Sequence, residues 1–230
     1  MNNWTSDVER ESKKNATSYA VTFFPDCKNK TAIFMPSTTC YDIIEMKKQN
    51  KINDKTNFHI VDNLKSPDFK DAYDPDEYFK LKTRKTLKQI LNTNNKLNVN
   101  FYFENIQDII NLKKNTFDLI YADTCCNYNE SLRDWIRYWP TIQSIKKNGV
   151  FALNVTLNRY NIDYPIKLKR NPVIKSFNNT ESNKKNMEKV KMIASDIENN
   201  TKYIFKTVAL IQYYDKIQSQ MGLMIFKKMN

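Results

Sequence analysis

"YIFKTVALIQYY" (203–214) and "MGLMIFKKM" (221–229) are two apolar runs rich in β-branched and aromatic residues, only six residues apart. Runs of this composition and spacing read as antiparallel neighbours in a sheet. Directly upstream, "SNKKNMEKVKMIASDIENN" (182–200) places Met187, Val190, Ile193, Ala194 and Ile197 at intervals of three or four, the period of an amphipathic helix. The chain therefore closes on a helix followed by a hairpin.

The pattern before this point is different. "TAIFMP" (31–36) is a short buried strand closed by Pro36. "TTCYDIIEMKKQN" (38–50) follows with Ile43, Ile44 and Met46 in helical spacing and Thr38 or Thr39 as N-cap. "NFHIVDN" (57–63) is a second strand ending in Asp62. "DPDEYFKLKTRKTLKQILN" (74–92) is a helix capped by Asp74, with Pro75 in its first turn and Tyr78, Leu81, Leu87, Ile90 and Leu91 on its apolar side. "NVNFYFEN" (98–105) is a third strand. "FDLIYAD" (117–123) is a fourth, with the continuous apolar character of a strand covered on both faces. "SLRDWIRYWPTIQSIKKNG" (131–149) reads as a helix interrupted at Pro140 and stopped by Gly149, and "VFALNVTLN" (150–158) as the fifth strand. Residues 159–182 read as a polar, basic loop. "SYAVTFF" (18–24) reads either as a helix end or as an extra strand.

Alternating strands and helices imply a parallel sheet with helices on both faces. The expected fold is α/β: a Rossmann-like three-layer sandwich with a mostly parallel seven-stranded sheet and a C-terminal antiparallel hairpin. The expected organisation is a single domain over 1–230, with 1–30 an N-terminal extension and 159–182 a loop insertion.

Composition narrows the function classes. The 230 residues suffice for one core. No stretch approaches the roughly 20 apolar residues that span a bilayer, and the polar N-terminus does not read as a signal peptide. The expectation is a soluble intracellular protein without a membrane partner. Four cysteines without C-x-x-C spacing and a single histidine argue against zinc and against a disulfide framework. A formal charge of +12 fits an anionic partner, nucleic acid first, bound through the basic surface. With glycine only at 149 and 222, there is no P-loop and no G-x-G-x-x-G.

Five alternating strands, a helix and a terminal hairpin resemble the class I S-adenosylmethionine-dependent methyltransferases over roughly residues 30–230. The resemblance implies S-adenosylmethionine as cofactor and methyl transfer as the activity, with nucleic acid (RNA or DNA) as the substrate class. It puts the loop after the first strand, Pro36, Ser37, Thr38 and Thr39, beneath the cofactor's amino-acid part. In this chain that loop has no glycine. It puts Asp62, with Asn63, at the ribose, because a carboxylate accepts two hydrogen bonds at once. It puts Asn105 and Ile106 at the adenine, with Glu104 as the alternative residue turned inward.

The end of the fourth strand is where the resemblance locates the methyl acceptor, which makes Asp123 a candidate catalytic residue. "DTCCNY" lacks the prolines of the adenine-type tetrapeptide but keeps an acid and, later, Tyr128. Cys126 stands three residues after Asp123, the spacing of RNA cytosine-5 methyltransferases, with Cys125 in place of their proline. It is the second catalytic candidate, as a thiolate nucleophile. Packing is the competing reading for both cysteines, as it is for His59 and for Trp135, Tyr138 and Trp139. The basic clusters Lys80–Lys88 and Lys167–Arg170 read as solvated faces, the latter in the loop beside the cleft. The alternative function is a methyltransferase-like subunit without catalysis that serves as a binding or structural module. A dehydrogenase reading fails on the missing glycine fingerprint and the terminal hairpin.

Overall fold

The computed structural model describes residues 11–35, 40–62, 75–103, 116–129, 132–133, 136, 143–157, 166–177, 182–214 and 220–229. Its elements run α1 (Glu11–Val21), β1 (Thr31–Phe34), α2 (Tyr41–Lys48), β2 (Asn57–Val61), α3 (Pro75–Leu91), β3 (Val99–Tyr102), β4 (Phe117–Asn127), β5 (Ile145–Thr156), β6 (Val173–Phe177), α4 (Ser182–Asn200), β7 (Phe205–Tyr214) and β8 (Gln220–Lys228). "SYAVTFF" thus resolves as the end of α1 followed by a turn. The strands form one sheet in the order β3-β2-β1-β4-β5-β8-β7-β6. Strands β1 to β5 pair in parallel, and β8 runs antiparallel between β5 and β7. Strand order reverses between β1 and β4, the place where an open parallel sheet forms its ligand crevice.

The sheet has eight strands because part of the expected 159–182 loop, Val173–Phe177, pairs in parallel with β7 at the edge. Val173 and Ile174 are 45% and 46% exposed, so β6 carries no alternating burial signal that a sequence reading could use.

Side chains of the interior strands alternate between two cores, as the two-residue period of a strand requires. In β1, Ala32 and Phe34 enter the core beneath α1, α2 and α3, while Ile33 enters the core on the α4 side. Helix α1 belongs to the first of these: Ala16, Ala20 and Val21 are fully buried. The five apolar residues expected to line α4 are all buried. Helix α3 corrects the expectation. Tyr78 and Leu81 are 46% and 63% exposed, and the buried stripe is Phe79, Thr83, Leu87 and Leu91, one residue every four. Phe79 wins because its ring packs edge-on against Phe101 of β3 and against Phe103.

Both glycines sit where chain approaches chain. A Cβ on Gly149 would lie 2.6 Å from Ile145 Cγ2 and 2.9 Å from the Lys146 carbonyl oxygen. Gly149 is therefore not the helix stop expected from sequence. It lies inside β5, after Asn148, which takes the left-handed conformation (φ 65°) at a ladder irregularity. A Cβ on Gly222 would lie 2.8 Å from Val190 Cγ2, which would push α4 off the sheet.

Candidate functional site

The carboxyl ends of β1, β2, β4 and β5 surround the reversal of strand order. After β1, the chain re-enters the described residues at Cys40, which is fully buried and left-handed (φ 50°, ψ 39°), with α2 beginning at the next residue. The expected N-cap of Thr38 or Thr39 is not realised: Cys40 occupies the cap position, and its side chain makes no capping hydrogen bond. The left-handed turn that usually selects glycine is thus present in a loop without glycine, at a cost of roughly 1–2 kcal/mol for a side-chain-bearing residue. Pro36, Ser37, Thr38 and Thr39 themselves lie outside the described residues, as do Asn63, Glu104, Asn105 and Ile106.

Asp62 follows β2 and is half-buried. Its backbone N–H donates to the Tyr102 carbonyl at 3.0 Å, which fixes the strand end beside β3. His59 is buried in the middle of β2 and is satisfied. Its Nδ1 meets the Tyr102 hydroxyl at 2.9 Å, its Nε2 meets the Asn57 amide at 3.2 Å, and its ring stacks on Tyr102.

Asp123 is the last residue of the regular β4–β5 ladder, opposite Asn154. The ladder resumes only at Asn127 opposite Thr156, so Thr124, Cys125 and Cys126 form a bulge against a single residue of β5. Bulges re-aim side chains next to functional sites. The strand runs four residues past the expected "FDLIYAD" end because of this bulge. The side chains of Cys125 and Cys126 lie outside the described residues, as do Trp135, Tyr138 and Trp139. Tyr128 turns to the opposite core, where it is buried and donates to Asp196 of α4 at 2.7 Å. Arg133 reaches the same carboxylate at 2.9 Å.

Three residues that the sequence reading did not single out are linked to Asp123 by hydrogen bonds, directly or through one another. Lys13 of α1 pairs with Asp123 Oδ2 at 3.0 Å. The Asn154 side-chain amide donates to Asp123 Oδ1 at 2.8 Å and to the Tyr213 hydroxyl at 2.7 Å. Asp42, in the first turn of α2, is buried to 7% exposure and feels the Asp123 charge. Burial and then the negative charge of Asp123 raise its carboxyl from an ordinary 3.8 to about 6, against the opposing pull of backbone N–H groups and Lys13. One signal was available: Asn154 is a polar residue inside the buried run "VFALNVT". Nothing in sequence links Lys13 to a residue 110 positions away.

Elsewhere, Cys27 and Cys40 are buried free thiols, and burial pushes the Cys27 thiol up to about 12. The loop with Lys167 and Lys169 is pinned to α4: the two backbone N–H groups donate to Ser195 Oγ and Glu198 Oε2. Among the described residues there is no helix long and apolar enough to cross a membrane and no cluster of three metal-ligating side chains.

No protein-family model matches the chain, and no curated protein matches it by sequence. Solved structures do match in fold. A 1,6-didemethyltoxoflavin-N1-methyltransferase from Burkholderia thailandensis, solved with S-adenosylhomocysteine, superposes with a TM-score of 0.52 at 11% identity, covering 96% of this chain and 80% of the other. A putative transferase from Pyrococcus horikoshii gives 0.51 at 9% identity, covering 94% of this chain but only 63% of its own length. A putative methyltransferase from Haloferax volcanii, solved with the Trm112 activator, gives 0.50 at 8% identity, covering 96% and 92%. With the reversal at β1/β4 and the antiparallel β8 between β5 and β7, these likenesses show that the chain has the class I S-adenosylmethionine-dependent methyltransferase fold.

Proposed function

We propose that this protein is an S-adenosylmethionine-dependent methyltransferase acting on nucleic acid. The observation that carries the reading is the sheet: five parallel strands with an order reversal at β1/β4, closed by an antiparallel strand between β5 and β7.

The residues present fit the cofactor's chemistry. Asp62 is half-buried directly after β2, and a carboxylate there suits a ribose diol. The left-handed turn at Cys40 supplies the tight entry into α2 that this fold's loop requires, here without glycine. Pro36 to Thr39, Asn63, Asn105 and Ile106 are the remaining proposed contacts. The cofactor would supply an electrophilic methyl group. The protein's part is then to position an acceptor and exclude water, which carries much of the catalysis in a displacement of this kind. Asp123 is the proposed acceptor-side residue. Cys126, in the bulge beside it, is the second proposed residue.

The nucleic-acid substrate rests on the +12 charge. Binding to single-stranded RNA should fall steeply with salt, and a flat salt response argues against that substrate. For the cofactor, Asp62→Ala should weaken S-adenosylmethionine binding at least tenfold (about 1.4 kcal/mol) by calorimetry, since two hydrogen bonds to a charged group are lost. Unchanged affinity removes Asp62 from the site. A second reading, a binding subunit without catalysis, draws on the glycine-free loop. It predicts that wild-type protein takes up no cofactor.

A further inference from the structure

The two ends of the sheet differ in charge. Strands β1 to β5 run in parallel, so they begin at one end. Strand β8 is antiparallel to β5 and β7 and finishes at that end, where β7 and its parallel partner β6 begin. The crevice lies at the opposite end, with Asp62 and Asp123. Asp123 is six residues beyond Phe117, so the two ends are roughly 20 Å apart along β4.

Cations line the end where the strands begin. Lys96 precedes β3, Lys55 precedes β2 and Lys30 adjoins β1. Lys147 lies in the first turn of chain of β5, Lys227 near the end of β8, and Arg170 just before β6. These six are exposed, and Lys206 at the start of β7 is half-buried. Every strand except β4 thus contributes a cation, and across the eight strands the row is roughly 34 Å long. The sequence reading sets Arg170 in a loop beside the cleft. It stands at the other end because the adjacent Lys169 N–H is held by Glu198 in the last turn of α4, whose second oxygen takes the Thr207 N–H of β7.

Acids at this end are engaged elsewhere. Asp118 accepts from the Thr31 N–H and the Lys146 ammonium, Asp54 from the Asn95 amide, and Asp26 pairs with Lys28. Among the described residues, none of the seven cations forms an ion pair. Two of them oppose each other, since Lys206 and Lys227 are direct partners in the β7–β8 ladder. Opposite residues of an antiparallel pair have Cα atoms about 4.5–5.5 Å apart, and like charges there are destabilising. An anion lying over the pair offsets that repulsion.

A long row of point charges matches a chain of phosphates better than a single anion. A membrane-docking face buries apolar side chains in the lipid. The exposed large apolar residues among the described ones are Tyr78 and Leu81 on α3 and Ile166, Val173 and Ile174 by β6, none of them between Lys96 and Lys227.

We propose that this row is a nucleic-acid site that tracks a phosphate backbone at the end of the sheet opposite the crevice. The identity of the polyanion rests on the nucleic-acid reading given above; the location does not. A strand held here leaves the crevice free for another part of the same molecule.

The probe is a fluorescein-labelled oligouridylate of about 20 nucleotides, followed by anisotropy from about 50 to 200 mM KCl. The variant combining Lys30→Gln, Lys147→Gln, Lys206→Gln and Lys227→Gln should lower the magnitude of the log–log salt slope by about 3, at about 0.7 per phosphate contact, and weaken binding at least about tenfold. The charge-matched control combines Lys80→Gln, Lys82→Gln, Lys184→Gln and Lys185→Gln, toward the crevice ends of α3 and α4, and should leave the slope within about 1 of wild type. Urea unfolding of the row variant should show stability no lower than wild type, because the Lys206–Lys227 repulsion is gone. Lys30→Gln with Lys147→Gln, both outside that pair, repeats the test with half the expected change. Equal slopes for wild type and both row variants, or an equal loss in the control, overturn the proposal and leave nucleic acid standing as the substrate class. Wild-type protein that binds no RNA overturns both, and cofactor titration then decides the methyltransferase reading by itself. Loss of binding to phosphatidylserine vesicles in the row variant with RNA binding intact gives the row to a membrane and also overturns the proposal.

Discussion

Replacing Asp42 by asparagine should make the protein more stable at neutral pH. The Asp42 carboxyl is held at about 6 in the folded chain, against 3.8 ordinarily, first by burial and then by Asp123. A raised acid favours the folded state only while protonated. Below about pH 4 the folded and unfolded chains both carry the proton, and Asp42 costs nothing. Between about pH 4 and 6 the unfolded chain ionises first, and stability falls. Above 6 the folded chain carries the buried charge at full cost. Going from 3.8 to about 6 at about 1.4 kcal/mol per pH unit gives on the order of 3 kcal/mol at pH 7. Asparagine keeps the shape and removes the charge. For a chain of this size the gain corresponds to a Tm rise of roughly 6–12 °C. Urea unfolding of both proteins at pH 4 and pH 7 is the assay. The stability difference should be near zero at pH 4 and open by pH 7. A variant less stable than wild type at pH 7, or a difference that does not change with pH, refutes the reasoning.

Two further outcomes follow from the packing. Phe79→Ala should cost about 3–5 kcal/mol in denaturant unfolding, while Leu81→Ala on the exposed side of α3 should stay within about 0.5 kcal/mol. Cys27 and Cys40 should not react with a thiol reagent at pH 8 until the chain unfolds, because both are buried and their thiols are held protonated; prompt labelling of either in the native protein contradicts their burial.

The legible parts of the fold were those in which periodicity and burial coincide. Helix α4 shows its five core residues at helical spacing, and the β7–β8 hairpin shows two apolar runs close together. The misreadings have physical causes. β6 is an exposed edge strand, so it lacks alternation. Tyr78 and Leu81 look like core residues, but aromatic contacts across β3 select the Phe79 stripe instead. Gly149 looks like a helix stop because close approach inside a bulged strand leaves the same residue type. For the site, Asp62 and Asp123 could be placed from strand ends alone. Lys13 and Tyr213 could not, because Lys13 reaches Asp123 only where α1 packs on the sheet and Tyr213 reaches Asn154 from β7, two strands away across β8.

The central claim is that a glycine-free loop, turning through a left-handed Cys40, still serves a methyl-donor site. Direct calorimetric titration of the wild-type chain with S-adenosylmethionine tests it. The account predicts saturable binding at one site per chain below about 1 mM, the usual range for a substrate site. No binding at millimolar ligand would contradict it.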